Sequence, residues 1–106
     1  MNFVSEARVR TEHAARYAMQ VGKHWAHNLK VDEVGAARII TFPKDARGAD
    51  WPGPAIVTLT PEDDILLCRI EASADEQRDG LKSSVQRHVD RFAFREGNLL
   101  YEWSDK

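Results

Sequence analysis

Apolar residues between positions 11 and 29 (TEHAARYAMQVGKHWAHNL) recur with the period of a helix. Ala14, Ala18, Val21 and Trp25 stand at i, i+4, i+7 and i+11, the spacing of one buried face. Thr11 is the expected N-cap, its hydroxyl oxygen accepting a free amide of the first turn. A second stripe of His13, Tyr17, Gln20, His24 and His27 lies roughly 100–120° further round the helix. It borders the apolar face, so half-buried groups there can direct polar tips into a cleft. Gly22 weakens a helix by about 1 kcal/mol relative to Ala, which points to close approach by a neighbouring element.

The period is two almost everywhere else. Residues 5–10 (SEARVR), 31–34 and 38–42 (RIITF) read as strands, with Gly35 a turn and Pro43 a stop. Residues 55–60 (AIVTLT) and 65–71 (ILLCRIE) are the clearest strands, joined by a short connection over 61–64. Ala55, Val57 and Leu59 would share an inward face with Leu66, Cys68 and Ile70, leaving Cys68 a small buried hydrophobe. Ser73 and Glu76 have the spacing of a capping box. The helix it starts carries Ala74, Leu81, Val85, His88, Val89 and Phe92 on its apolar face. That helix is expected to end near Phe94 or Arg95, before the Gly97-Asn98 turn, and residues 99–103 (LLYEW) to form a last strand. The order β-α-β-β-β-β-α-β predicts an α+β fold, an antiparallel sheet with both helices packed on one face.

Residues 43–54 (PKDARGADWPGP) hold three prolines, two glycines and four charges, the composition of a surface loop. Trp51 within it is expected to fold back as a lid on the core edge. The alternative is that it lines a ligand pocket or a subunit contact, where Trp is enriched.

Length and composition narrow the field. A chain of 106 residues is expected to make one domain. Cys68 is the only cysteine, which excludes an intramolecular disulfide and suits a reducing cytoplasm. The N-terminal stretch has charges where a signal peptide needs an apolar core, and no apolar run approaches a membrane span. A cytoplasmic protein is expected, without a membrane partner. Net charge is −2 and basic residues are dispersed among acidic ones, so nucleic acid is not an expected partner either.

Two clusters can carry chemistry: His24, Trp25 and His27 on the first helix, and His88, Arg91 and Arg95 on the second. If both helices share a sheet face, the two strips can meet. His24 and His27 stand one helical turn apart, a spacing that can present two imidazoles to one metal ion, with a third ligand needed from His88, Glu12 or Glu102. This is a weak metal signal. His13 lies about 16 Å along the axis from His24 and cannot share that ion. Arg91 and Arg95 can clamp a carboxylate or phosphate, although they sit at a helix C-terminus, whose macrodipole repels anions. Capping the helix, or pairing with Glu96, Glu102 or Asp90, is the plainer role. There is no nucleophile elbow around Ser83 or Ser84, no GxGxxG and no Walker-type loop, and no cofactor is expected.

At KHWAH and RHVDRFAFREGNLLYEW the chain resembles a bacterial family of small domains of unknown function, over nearly its whole length. His24, Trp25, His88, Arg91, Phe92 and Arg95 carry the match; the 43–54 loop is longer than that family's usual turn. Domains of the family it resembles look to be fused, in some proteins, to the C-terminal side of siderophore-interacting, flavin-dependent ferric reductases. The resemblance implies at most a role near iron or siderophore handling, with such a reductase as a partner. No flavin or nicotinamide domain is recognisable in these residues, so they are not expected to be the reductase themselves. Three readings follow. The first is a non-catalytic accessory or ligand-binding module whose cleft, lined by His24, His27, His88 and Arg91, takes a small anionic or metal-chelating ligand. The second is a structural module, a homodimer covering outward residues such as Ile40, Ile56, Leu67 or Leu100. The third is a small enzyme with a histidine base.

Overall fold

The computed structural model describes residues 3–106. In chain order the elements are β1 (Phe3–Arg10), α1 (Ala14–Trp25), β2 (Lys30–Val34), β3 (Ala37–Phe42), β4 (Ala55–Glu62), β5 (Ile65–Ala72), α2 (Asp75–Phe92) and β6 (Ser104–Asp105). The sheet runs β2-β3-β4-β5-β1-β6 with every neighbouring pair antiparallel. The predicted order and class are those of the structure.

Alternation decides which face is covered. Val31, Ile40, Val57, Ile70 and Ser5 align across five strands, on the side where Ala7, Val9, Leu59, Leu66 and Cys68 are also buried. Helix α1 packs over β3 and β4, and α2 over β5 and β1. Ala14, Ala18, Val21 and Trp25 are the buried face of α1, and Leu81, Val85 and Val89 that of α2. Cys68 is fully buried, and burial pushes its thiol pKa up to about 12, so it packs as a hydrophobe.

Several details depart from the sequence-based expectation. Helix α1 begins at Ala14 with His13 as its N-cap. Thr11 does accept an amide, that of His13 at 3.1 Å, but it precedes the helix because its hydroxyl also donates to Glu96 at 2.8 Å. Tyr17 is buried rather than bordering. The capping box is displaced: Ala74 is the N-cap, and Gln77, not Glu76, reaches back to the Ser73 amide at 2.7 Å. Residues 99–103 form no strand. Leu99, Tyr101 and Trp103 do turn inward, but Tyr101 donates to Asp90 (2.8 Å) and Trp103 to Gln86 (3.0 Å). The segment follows the flank of α2, and strand pairing resumes only at Ser104. Alternation reports a two-sided environment, not a ladder partner. Ile40, expected to face outward, is fully buried, because it shares the parity of Phe42 and the row of Val57.

Gly22 has the close neighbour its helix position implies. A Cβ built there would lie 3.0 Å from Arg38 Cγ and 3.4 Å from Arg38 Cβ, whereas one built at Gly80 in α2 meets nothing within 4 Å. Gly80→Ala should therefore stabilise the fold by about 1 kcal/mol through helix propensity. Gly22→Ala should gain nothing or lose stability, because Arg38 must give way. Urea unfolding measures both; an equal gain at the two positions would contradict the contact with Arg38.

Candidate functional site

The last turn of α1 carries His24 and Trp25 to the seam with α2. The Trp25 and His88 ring centroids are 4.5 Å apart at 40°, and those of His24 and His88 are 5.1 Å apart. Phe92 lies edge-on to His24 at 6.4 Å, and Phe42 edge-on to Trp25 at 5.2 Å. His88 is held by its own helix: Nδ1 lies 2.6 Å from the Ser84 carbonyl. A carbonyl only accepts, so Nδ1 carries a proton and Nε2 is the position left for other partners. Burial is the main influence on the His88 pKa and lowers it; the Ser84 carbonyl opposes this, and the nearby charges of His24, Arg47 and Arg87 lower it further.

The 43–54 loop forms a hydrogen-bonded strap beside this seam. Ala46 donates to the Pro43 carbonyl, Gly48 to Asp45, and Trp51 to Lys44, each at 3.0 Å. Its far end is tied to α2 by a ring of bonds. Gly53 donates to Ser73 Oγ (3.0 Å), the Ser73 amide to Gln77 Oε1 (2.7 Å), and Gln77 Nε2 to the Gly53 carbonyl (3.1 Å). Between the strap and the end of α1 lies a cleft of about 520 Å³, walled by Trp25, Phe42 and Leu29 and bearing His24, His27, Asp45 and Arg47. Arg47 stands at φ 57°, the left-handed region that side chains with a Cβ rarely occupy. Among the described residues it makes no ion pair.

The expected site residues divide. His24, Trp25 and His27 share the cleft, and His88 stacks behind its rim. His24 and His27 are exposed, His88 half-buried. Arg91 and Arg95 are exposed elsewhere. The Arg95 guanidinium lies 5.7 Å from the Phe94 ring centroid, beside a separate hollow with His13, Tyr17 and Glu96. There the Tyr17 hydroxyl joins that of Thr11 in donating to Glu96. Among the described residues no three His, Cys, Asp or Glu side chains are grouped to hold a metal ion. Arg47, Phe42 and Ser84 escaped sequence reasoning. The Arg47-Gly48 pair was the available signal, since adjacent left-handed residues turn a short strap back on itself.

The depressed His88 pKa has a definite sign. The unfolded chain takes up a proton near pH 6.5 while the native imidazole stays neutral. Stability from this group is complete above that value and lost as pH falls through the lower native pKa. Ring NMR should give a His88 midpoint below 6.5. Urea unfolding between pH 7.5 and 5 should decline less for His88→Gln than for the wild type. A midpoint at or above 6.5 contradicts the buried, carbonyl-bonded ring.

The chain is similar in structure to PA4090 from Pseudomonas aeruginosa, solved by NMR. The TM-score is 0.72 at 24% identity, covering 98% of this chain and 95% of that one, a likeness of fold. No curated protein matches. The model of the family described as "Uncharacterized protein conserved in bacteria (DUF2218)" matches residues 6–104, nearly the whole sequence, and the chain belongs to that family.

Proposed function

We propose that this domain is a non-catalytic binding module that takes a small anionic or metal-chelating ligand in the cleft between the end of α1 and the strap. One observation carries the reading. The cleft brings an arginine without an ion-pair partner among the described residues together with two exposed imidazoles, against walls of Trp25 and Phe42. One fixed cation and imidazole donors on a partly apolar wall, with Asp45 the carboxylate beside them, suit a ligand that carries both carboxylate and donor groups, because the low-dielectric side strengthens each charge-assisted bond. A binding role is also supported by what surrounds the cleft: the sole thiol is buried away from it, and His88 Nδ1 is committed to a carbonyl. A link to ferric chelates, and to a flavin-dependent reductase as partner, rests on the KHWAH and RFAFRE resemblance alone.

Calorimetry and thermal shift with citrate, ferric citrate and a ferric hydroxamate test the reading. At least one should bind, and Arg47→Ala should weaken it about 10- to 100-fold, the loss of roughly 1.5–3 kcal/mol expected for a hydrogen bond to a charged group. His24→Ala should weaken it as well with little loss of stability, since that side chain is exposed. No binding by any of the three removes the reading.

A second reading has its own observation. Among the described residues no helix packs on the outer face of the sheet, where Ile39, Ile56 and Leu67 are half-exposed on adjacent strands. A homodimer would cover them, as monomers seldom leave large apolar patches open. Light scattering should then report a dimer at high micromolar concentration, and Leu67→Glu a monomer. A strict monomer in the wild type ends this reading.

A further inference from the structure

A second hollow adjoins the strap, between it and α2. It measures about 190 Å³ and its apolar walls are Phe42, Trp51 and Leu81, with Gly80 contributing bare backbone. Phe42, Pro43, Ala46 and Arg47 line this hollow and the histidine cleft alike, so the two adjoin at one turn. A dry cavity of about 150 Å³ lined by apolar side chains is enough to hold benzene, so this one accommodates a single aromatic ring. Two features set it apart from a packing defect. Gly80 is a helix-interior glycine, unfavourable relative to alanine, yet no neighbour excludes a side chain from it. Arg47, at the shared wall, keeps a left-handed backbone (φ 57°), and local strain of this kind is concentrated at ligand clamps.

We propose that the two hollows form one bipartite site and that its ligand is an aromatic acid. The ring enters between Trp51 and Phe42, whose faces favour offset or edge-on aromatic contact. The carboxylate lies at Arg47, with His24 and His27 on its far side. This rests on the anion cleft proposed above and names the class of ligand it takes. Gly80 serves as a specificity position: any larger residue there projects into the space the ring needs.

The test uses benzoate, phenylacetate and 3-phenylpropionate, with acetate as the carboxylate alone and citrate as a ringless polyanion. Binding is read by calorimetry and by Trp fluorescence on the wild type, Gly80→Leu and Arg47→Gly. The best aryl acid should bind at least about tenfold more tightly than acetate, the gain expected from burying a ring. Gly80→Leu should abolish that gain and leave citrate unchanged. Arg47→Gly relieves the strained backbone, so it should fold while weakening every carboxylate. Where Gly80→Leu fails to fold, Trp51→Ala should abolish the same gain. If citrate binds but aryl acids do no better than acetate, or keep their advantage in the filled or opened hollow, the bipartite site is wrong and the anion cleft stands. If no aryl acid binds, the bipartite site falls, and the anion cleft falls with it only when citrate, ferric citrate and the ferric hydroxamate fail as well.

Discussion

The structure turns on a sheet with one apolar face and only two helices to cover it. Packed helices lie about 8–10 Å apart and strands about 4.8 Å apart, so two helices span roughly four strands. They take β3 and β4 under α1, and β5 and β1 under α2. The consequence appears at the margin: β2, beyond that reach, is exposed at four of its five positions. The same arithmetic places the helix seam over the β4–β5 boundary, in the middle of the sheet. Whatever α1 and α2 carry on their facing sides meets there, and His24 meets His88.

The two helices are unequal. Twelve residues make α1 about 18 Å long and eighteen make α2 about 27 Å. They run antiparallel, with Tyr17 of α1 near the Glu96 end of α2 and His24 beside His88. The uncovered part of α2 is therefore its N-terminal half, and the 43–54 strap fills that space. A chain segment with its own internal turns fills it incompletely, which leaves hollows beside the strap. The Ser73–Gln77–Gly53 ring holds it there.

Elements whose environment repeats were legible in the sequence. The period of 3.6 along α1 and of two along β4 and β5 named the buried faces residue by residue, since each side chain meets the same partner surface every turn or every second position. Gly22 also announced its close neighbour, which proved to be Arg38. Legibility failed where one group serves two ends. Thr11 was read as a cap, but its hydroxyl is shared with Glu96. Ser73 was paired with Glu76, but the strap selects Gln77 because only that side chain also reaches Gly53. Residues 99–103 alternate as a strand does, yet their inward groups answer to α2. The site divided in the same way. His24, Trp25, His27 and His88 follow from helix geometry once the helices are neighbours. Arg47 depends on the fold of a strap whose sequence has no period to read.

The arginines show why position outweighs residue type. Arg91 and Arg95 sit at or beyond the C-terminal end of α2, where the helix dipole is negative, and they face solvent. A salt-filled aqueous surround screens their field within about 8 Å, and the dipole opposes any anion they would attract. Arg47 stands in the tight turn of the strap with a left-handed backbone, at the end of no long helix, and shares its cleft wall with Trp25 and Phe42. Those rings would replace part of the water around the proposed carboxylate, so the same charge would act at a lower effective dielectric. Trp25 and Phe42 are also core residues, buried to 4% and 8% exposure. The packing that joins α1 to the sheet thus also sets the electrostatics of the cleft, and substitution at either ring disturbs both at once. Arg47 and His24 are outside the core, which makes them the positions at which the proposed binding is separable from folding.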